Sequence, residues 1–357
     1  MEKDKIINAP KPIKVLIIDD SVLVRETWSE GLSEDPAFDV VGAISDVFGE
    51  RDIIAEKEAD IIILDIDMAK MDGIEFLRRM MPQNPTPVIT SCLMTQKGKH
   101  NTLIALESGA VDFIGMPVND VARGLRELVP ELKSKIKVAY QANLVTWKNR
   151  NLEPPQRKLL QEPKNVFEPS EKVIAIGSSI GGIEALRKLF TKLPSDMPGI
   201  IVAQHLPIGF TKTFADRLNQ FSDMLVKEAE TGDRVLKGSI LIAPGDLHMK
   251  IVRVEDHFEV ACEMGEKVND QRPSVEVLLM SVAEHVGPDA VGVILTGNGK
   301  DGAVGLRAMK NIGAKTIVQD EATSVFYSMP KAAIDMGAVD MELSLDEIAV
   351  ELIKMFT

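Results

Sequence analysis

Short apolar runs alternate with amphipathic stretches along most of the chain, and this rhythm predicts two parallel-sheet domains. In the first half, 14–18, 40–44, 60–64, 87–91 and 110–114 read as strands, with helices at 22–32, 73–81 and 99–108. In the second half, strands are predicted at 172–176, 199–203, 290–295 and 315–318, and helices at 183–190, 211–219 and 303–311. Strands that alternate with helices imply a parallel sheet covered on both faces. Between Gly232 and Glu263 the chain is richer in strands and turns, with Gly245 and the Glu255–Asp256 pair as turn signals. That part reads as a hairpin added to the second sheet. Residues 140–170 break the rhythm: Pro154, Pro155, Pro163 and Pro169 fall among Lys148, Arg150, Arg157, Lys158 and Lys164, which predicts an extended linker. The expected organisation is a first domain over 1–138, a linker over 139–169 and a second domain over 170–357, both domains α/β and doubly wound.

The length of 357 residues lets each domain bury its own core. Lys and Arg number 41 against 54 Asp and Glu, a net charge of −13 that disfavours nucleic-acid binding. Two cysteines, Cys92 and Cys262, exclude a disulfide framework or a Cys-rich zinc site and fit a reducing compartment. No apolar run approaches the roughly 20 residues of a membrane span, and the first ten residues lack a signal-peptide core. A cytoplasmic protein without membrane insertion is expected.

In open parallel sheets ligands sit beyond the carboxyl ends of the strands. Asp19 and Asp20 end the first predicted strand and Asp65 follows the third. Three carboxylates converging there suit Mg²⁺; the alternative is that Asp20 or Ser21 caps the next helix. The segments VLIIDDS at 15–21, LDIDMAKMDG at 64–73 and GAVDFI at 109–114 resemble a response-regulator receiver domain. The resemblance implies that Asp65 accepts a phosphoryl group and that Asp19, Asp20 and Asp65 bind Mg²⁺. It also shows departures. Met116, before Pro117, stands where receivers carry Lys; Cys92 falls at the hydroxyl position after the fourth strand, with Ser91 and Thr90 beside it; Ala69 replaces a usual proline.

In the second half, Gly177-Ser178-Ser179-Ile180-Gly181 matches G-x-S-x-G between a predicted strand and helix, the spacing of a nucleophile elbow. Gly and Ser after a strand are also ordinary turn chemistry. A serine nucleophile needs a base. Of the five histidines, His257 lies beside Asp256 in a predicted turn, and His100 and His285 lie on helix-like segments. His205 follows a strand, on the sheet edge that carries Ser179, and Asp301 follows another strand and could orient the imidazole. The same stretch supports a rival: Gly297-x-Gly299-x-x-Gly302, with Asp320 and Glu321 about 20 residues on, is a dinucleotide-binding pattern of an oxidoreductase. Asp301 counts against it, because a carboxylate at the start of helix 303–311 would repel a pyrophosphate.

IGSSIGG, QHLP, APGDLHM, RPSVEVL, LTGNGKDG and MPKAA, in this order, resemble the catalytic domain of the chemotaxis protein-glutamate methylesterase family, CheB. With the receiver in front, the resemblance spans nearly the whole chain. It implies Ser179 as nucleophile, His205 as general base, Asp301 as orienting acid, and the backbone N–H groups of Ile180 and Asn298 as oxyanion donors. Ile180 stands where the family has Thr, and Asn298 where it has Met. The implied substrate is glutamate methyl ester on methyl-accepting chemotaxis receptors, with receptor glutamine as a second substrate and no cofactor for the esterase. A chemotaxis histidine kinase is the implied signalling partner. A scaffold whose esterase half no longer turns over stays open beside the oxidoreductase.

Overall fold

The computed structural model describes residues 11–46, 58–68, 72–117, 119–148 and 168–356. The chain divides into two compact units, Met1–Leu152 and Glu153–Thr357.

The first unit has strands β1 (Ile13–Ile18), β2 (Phe38–Ile44), β3 (Ile61–Asp65), β4 (Val88–Leu93) and β5 (Asp112–Met116), with helices α1 (Val22–Ser33), α2 (Gly73–Gln83), α3 (Gln96–Glu107) and α4 (Val121–Ala139). The sheet order is β2-β1-β3-β4-β5 and every pair is parallel. Val15, Leu16, Ile17 and Ile18 are wholly buried, as are Ile61 to Leu64. Apolar runs without alternation are what strands covered on both faces require. Side chains start three helices: Ser21 Oγ accepts from Val24 N at 3.5 Å, Asp72 Oδ1 from Ile74 N at 2.9 Å and Thr95 Oγ1 from Gly98 N at 3.1 Å. Residues 140–148, expected to open the linker, pack on this unit. Leu144 and Trp147 are buried, and Trp147 lies against Gly109, where φ is +113° and a Cβ would sit 3.2 Å from its ring. Residues 149–167, with Pro154, Pro155 and Pro163, lie outside the described residues, as does Ala69.

The second unit continues with β6 (Val173–Ser178), α5 (Gly182–Phe190), β7 (Gly199–Gln204), α6 (Phe210–Leu218), β8 (Leu225–Glu228), β9 (Ser239–Ile242), β10 (His248–Val254) and β11 (His257–Glu263). It ends with α7 (Val275–His285), β12 (Ala290–Ile294), α8 (Ala303–Asn311), β13 (Lys315–Gln319), α9 (Ser328–Asp335), β14 (Met341–Leu343) and α10 (Leu345–Phe356). Seven strands form one parallel sheet in the order β14-β13-β12-β6-β7-β9-β8.

The hairpin departs from expectation. β10 and β11 turn at Glu255–Asp256 as predicted, but they form a separate two-stranded antiparallel sheet. Its apolar face, Met249, Ile251, Phe258 and Val260, shares a core with Leu278, Leu279 and Val282 of α7, and Ile251 N donates to Ser281 Oγ at 3.0 Å. The hairpin is therefore held face-on by a helix, while β9 and β8 complete the main sheet. His257, expected in the turn, opens β11 and is buried, with Nδ1 3.3 Å from Asp256 and Nε2 2.8 Å from Glu259. His100 lies on α3 and His285 ends α7, as the pattern predicted.

Candidate active site and acidic corner

In the second sheet the chain runs from β6 to β7 on one side and later returns to β12 on the other. Such a switch point opens a crevice beyond the strand ends. Ser179 follows β6, His205 follows β7, and Asp301 lies between β12 and α8. Neighbouring loops fix the serine turn. Ser179 N donates to Thr296 O at 3.0 Å, Thr296 Oγ1 to Ile180 O at 3.0 Å, and Gln204 Nε2 to Ser179 O at 2.9 Å. The glycines here answer to packing: a Cβ on Gly177 would come within 2.0 Å of Val275 Cγ1, and one on Gly297 within 2.9 Å of Ser179 Cβ.

The structure brings the three expected side chains into one line. His205 Nδ1 is 3.0 Å from Ser179 Oγ, and His205 Nε2 is 2.9 Å from Asp301 Oδ2. An ionised carboxylate only accepts, so the proton of the neutral ring sits on Nε2 and Nδ1 is left to accept from the serine hydroxyl. Asp301 is 2% exposed and richly held. Oδ1 accepts from Ser274 Oγ at 2.8 Å, Asn269 Nδ2 at 3.0 Å and Glu276 N at 3.2 Å; Oδ2 also accepts from Val275 N at 2.7 Å. Burial pushes this carboxyl's pKa up, but the hydrogen bonds from His205, Asn269 and Ser274 and the charge of His205 outweigh it and hold the pKa below the ordinary 3.8.

The carboxylate of Asp301 is bound to the first turn of α7, whose N–H groups favour an anion; it does not guard the start of α8, as the sequence suggested. Asn269, Ser274 and the start of α7 are site residues that sequence reasoning missed. The available signal was Pro273-Ser274 before Val275-Glu276, a helix-start pattern. Asp320, the ribose acid of the rival reading, is engaged locally, with Oδ1 accepting from Thr323 N at 2.9 Å.

Gly297 N donates to Phe326 O at 2.9 Å and Gly299 N to Ser328 Oγ at 3.1 Å, while the N–H groups of Ile180 and Asn298 donate to no acceptor among the described residues. Ser328 Oγ also lies 3.0 Å from Gly297 O and 3.2 Å from Asn298 Oδ1, which pins the loop that presents Asn298.

In the first unit, the order in which the chain adds strands reverses between β1 and β3, and Asp19, Asp20 and Asp65 gather there. One oxygen from each lies within 4.8 Å of the others. Burial raises Asp19 to about 7, helped by the charges of Asp65 and Asp20 against a hydrogen bond from Ser21. Burial likewise raises Asp65 to about 6, helped by Asp20 and Asp67 against a hydrogen bond from Asp67 N. Crowded hard oxygens whose charges oppose one another fit a small divalent cation. Met116 ends β5 and is buried. Cys92 is 1% exposed; burial raises its pKa, a hydrogen bond with Thr102 opposes this, and the charges of Asp67 and Asp65 raise it further. Cys92 follows Ser91, the β4 residue paired with Asp65, at the same end of the sheet. The hydroxyls of Thr90 and Ser91 are buried without a hydrogen-bond partner among the described residues.

Residues 174–352 match the family model described as CheB methylesterase, and residues 15–123 match the response regulator receiver domain. A protein-glutamate methylesterase/protein-glutamine glutaminase of Syntrophotalea carbinolica is 48% identical over 348 residues, covering 98% of this chain and 99% of its own. One from Sulfurimonas denitrificans is 42% identical over 351 residues, covering 97% and 99%. The crystal structure of the Thermotoga maritima CheB methylesterase catalytic domain matches with a TM-score of 0.51 and 39% identity, covering 52% of this chain and 98% of that one. These matches support the hydrolase reading and lend nothing to the dinucleotide-binding one. Whole-length identity of this order, together with both domain matches, shows that the chain belongs to the CheB protein-glutamate methylesterase/protein-glutamine glutaminase family, with a receiver domain ahead of its esterase domain.

Proposed function

We propose that the second unit is a serine esterase that hydrolyses glutamate methyl esters on chemoreceptors, and that the first unit is its receiver. The observation that carries this is the line Ser179–His205–Asp301, with contacts of 3.0 and 2.9 Å. Ser179 Oγ attacks the ester carbonyl while His205 Nδ1 takes its proton. Asp301 holds the ring in that tautomer and stabilises the imidazolium. The N–H groups of Ile180 and Asn298 receive the developing oxyanion, a contribution of about 3 kcal/mol per donor. The tetrahedral intermediate collapses, and the methoxide leaves as methanol with the proton from His205. Water, deprotonated by the same nitrogen, then cleaves the acyl-enzyme to a free carboxylate and restores Ser179. The same steps on a glutamine side chain release ammonia, the second activity in the relatives' name.

In the receiver, Asp19, Asp20 and Asp65 are the residues that would hold Mg²⁺, with Asp65 the phosphoryl acceptor. When bound, the cation supplies the positive charge that offsets crowded carboxylate and phosphoryl oxygens. The partners in this reading are methyl-accepting chemotaxis receptors and a chemotaxis histidine kinase, and the site of action is the cytoplasm. Among the described residues no helix is long and apolar enough to cross a membrane. The test is methanol release from methylated receptor membranes by the full chain and by Ser179→Ala. Release by the native chain that survives in Ser179→Ala overturns the mechanism; no release by a folded native chain favours a non-catalytic scaffold.

A further inference from the structure

A second histidine stands behind the site. His248 opens β10 and is 4% exposed. Its Nε2 is 2.8 Å from Glu266 O, and its Nδ1 is 3.2 Å from Ser274 N. A carbonyl only accepts and a backbone N–H only donates, so the ring is neutral with its proton on Nε2. The ring is closely confined. A Cβ on Gly265 would stand 3.0 Å from His248 Cδ2. Arg272 holds Gly265 O through Nη1 at 2.5 Å, while its Nε and Nη2 bind Asp246 Oδ1 at 3.0 and 2.6 Å.

Ser274, the residue this ring grips, is wholly buried and is the N-cap of α7. Its Oγ and the next two backbone N–H groups all donate to Asp301. We propose that His248 is a positioning residue of the esterase: Nδ1 fixes Ser274, and Ser274 with the first turn of α7 fixes Asp301. This inference rests on the reading of Ser179, His205 and Asp301 given above. The hydrogen bonds then run unbroken from Glu266 O through His248, Ser274, Asp301 and His205 to Ser179, with every donor and acceptor assigned. Removing the acceptor at Nδ1 leaves the Ser274 N–H buried and unpaired. The cap then shifts, and Asp301 loses the geometry that orients His205. Because His248 acts through Asp301, the loss should appear in kcat and leave KM unchanged.

Two substitutions divide the ring's functions. In His248→Asn the side-chain carbonyl replaces the Nδ1 acceptor; in His248→Gln the side-chain amide replaces the Nε2 donor. Methanol release by the full chain is measured for both and for His248→Phe, alongside thermal unfolding. The expected result is a loss of about 10- to 100-fold in kcat for Phe and Gln at unchanged KM, with most of that loss recovered in Asn. If the Phe variant fails to fold, the Asn and Gln variants, each keeping one of the ring's two hydrogen bonds, decide between the outcomes. Unchanged kcat in folded Phe and Gln variants overturns the inference alone. So does a loss confined to KM, or recovery by Gln in place of Asn. A native chain that releases no methanol overturns the esterase reading and this inference with it.

Discussion

His205 turns Nδ1, not Nε2, toward Ser179: Nδ1 lies 3.0 Å from the serine Oγ, and Nε2 faces Asp301 at 2.9 Å. The carboxylate therefore decides which nitrogen is basic. Five groups donate to that carboxylate, two of them backbone N–H groups of one helix turn. The site's chemistry is thus anchored in the packing of α7 against the loop after β12.

Asp301→Asn tests this directly. An amide NH₂ facing Nε2 would force the ring proton onto Nδ1, where it blocks acceptance from Ser179. The expected loss in kcat is about 10⁴-fold, with a modest fall in Tm because Val275 N–H and Glu276 N–H lose an anion. Steady-state methanol release and a thermal melt check both. An unchanged rate in a folded protein would remove Asp301 from the mechanism.

The acidic corner predicts a pH dependence opposite in sign to that of Asp301. Asp301, held low in the fold, stabilises the protein at neutral pH, and that contribution is lost as pH falls below about 4. Asp19 and Asp65, raised to about 7 and about 6, keep protons in the folded state that an unfolded chain sheds near pH 4. The first unit should therefore lose stability as pH rises from about 4 to about 7. Mg²⁺ should offset this by binding the ionised folded form. Melts of the full chain with Mg²⁺ or a chelator, at about pH 5 and about pH 8, are expected to show the larger Mg²⁺ effect at the higher pH. Asp65→Asn should reduce that effect; an equal response at both pH values contradicts the assignment.

Gly297→Ala should damage the fold and the site together. The new methyl would fall 2.2 Å from Met329 Sδ and 2.9 Å from Ser179 Cβ. Met329 is flexible and can yield, but Ser179 is held through its own backbone N–H and carbonyl. Overpacking of this kind costs about 1–3 kcal/mol, and a displaced Ser179 lowers kcat further. A variant with native Tm and native methanol release would show that the loop after β12 relaxes freely.

What the sequence revealed followed from what leaves a one-dimensional trace. Continuous runs such as Ile61–Leu64 are fully buried strands, and the predicted strands fall within about two residues of those observed. Ser179, His205 and Asp301 were found because each follows such a run. The edge strands Leu225–Glu228 and Met341–Leu343 are too short to show a period. The Glu255–Asp256 turn signal marked the hairpin, but it does not say whether a sheet edge or a helix will meet the hairpin's apolar face. The supports of Asp301 were hidden for a related reason. Asn269, Ser274 and the first N–H groups of α7 converge on it only through packing, and backbone donors leave no mark in residue type. Which nitrogen of His205 faces the serine is likewise a matter of ring placement.

Phosphorylation is predicted to be a weak switch in this receiver. The resemblance to receiver domains implies a lysine ammonium and a hydroxyl as readers of the phosphoryl group, and ungapped spacing puts Met116 and Cys92 at those places. Met116 carries no charge and no hydrogen-bond donor, and Cys92 is a buried, weak donor whose pKa is raised by burial and by Asp67 and Asp65. A modification shifts a conformational equilibrium only by its differential interaction with the two states, and these two side chains offer little. The alternatives are the buried hydroxyls of Ser91 and Thr90 on the same strand and the lysines Lys70 and Lys97. Methanol release is measured with a small phosphodonor and Mg²⁺ for the native chain, Asp65→Asn and Met116→Lys. Little activation of the native chain, and clear activation of Met116→Lys, is the expected pattern. Strong activation of the native chain that disappears in Asp65→Asn would overturn it; loss of that activation on replacing Ser91 or Thr90 by Ala would then identify the hydroxyl that reads the phosphate in place of Cys92.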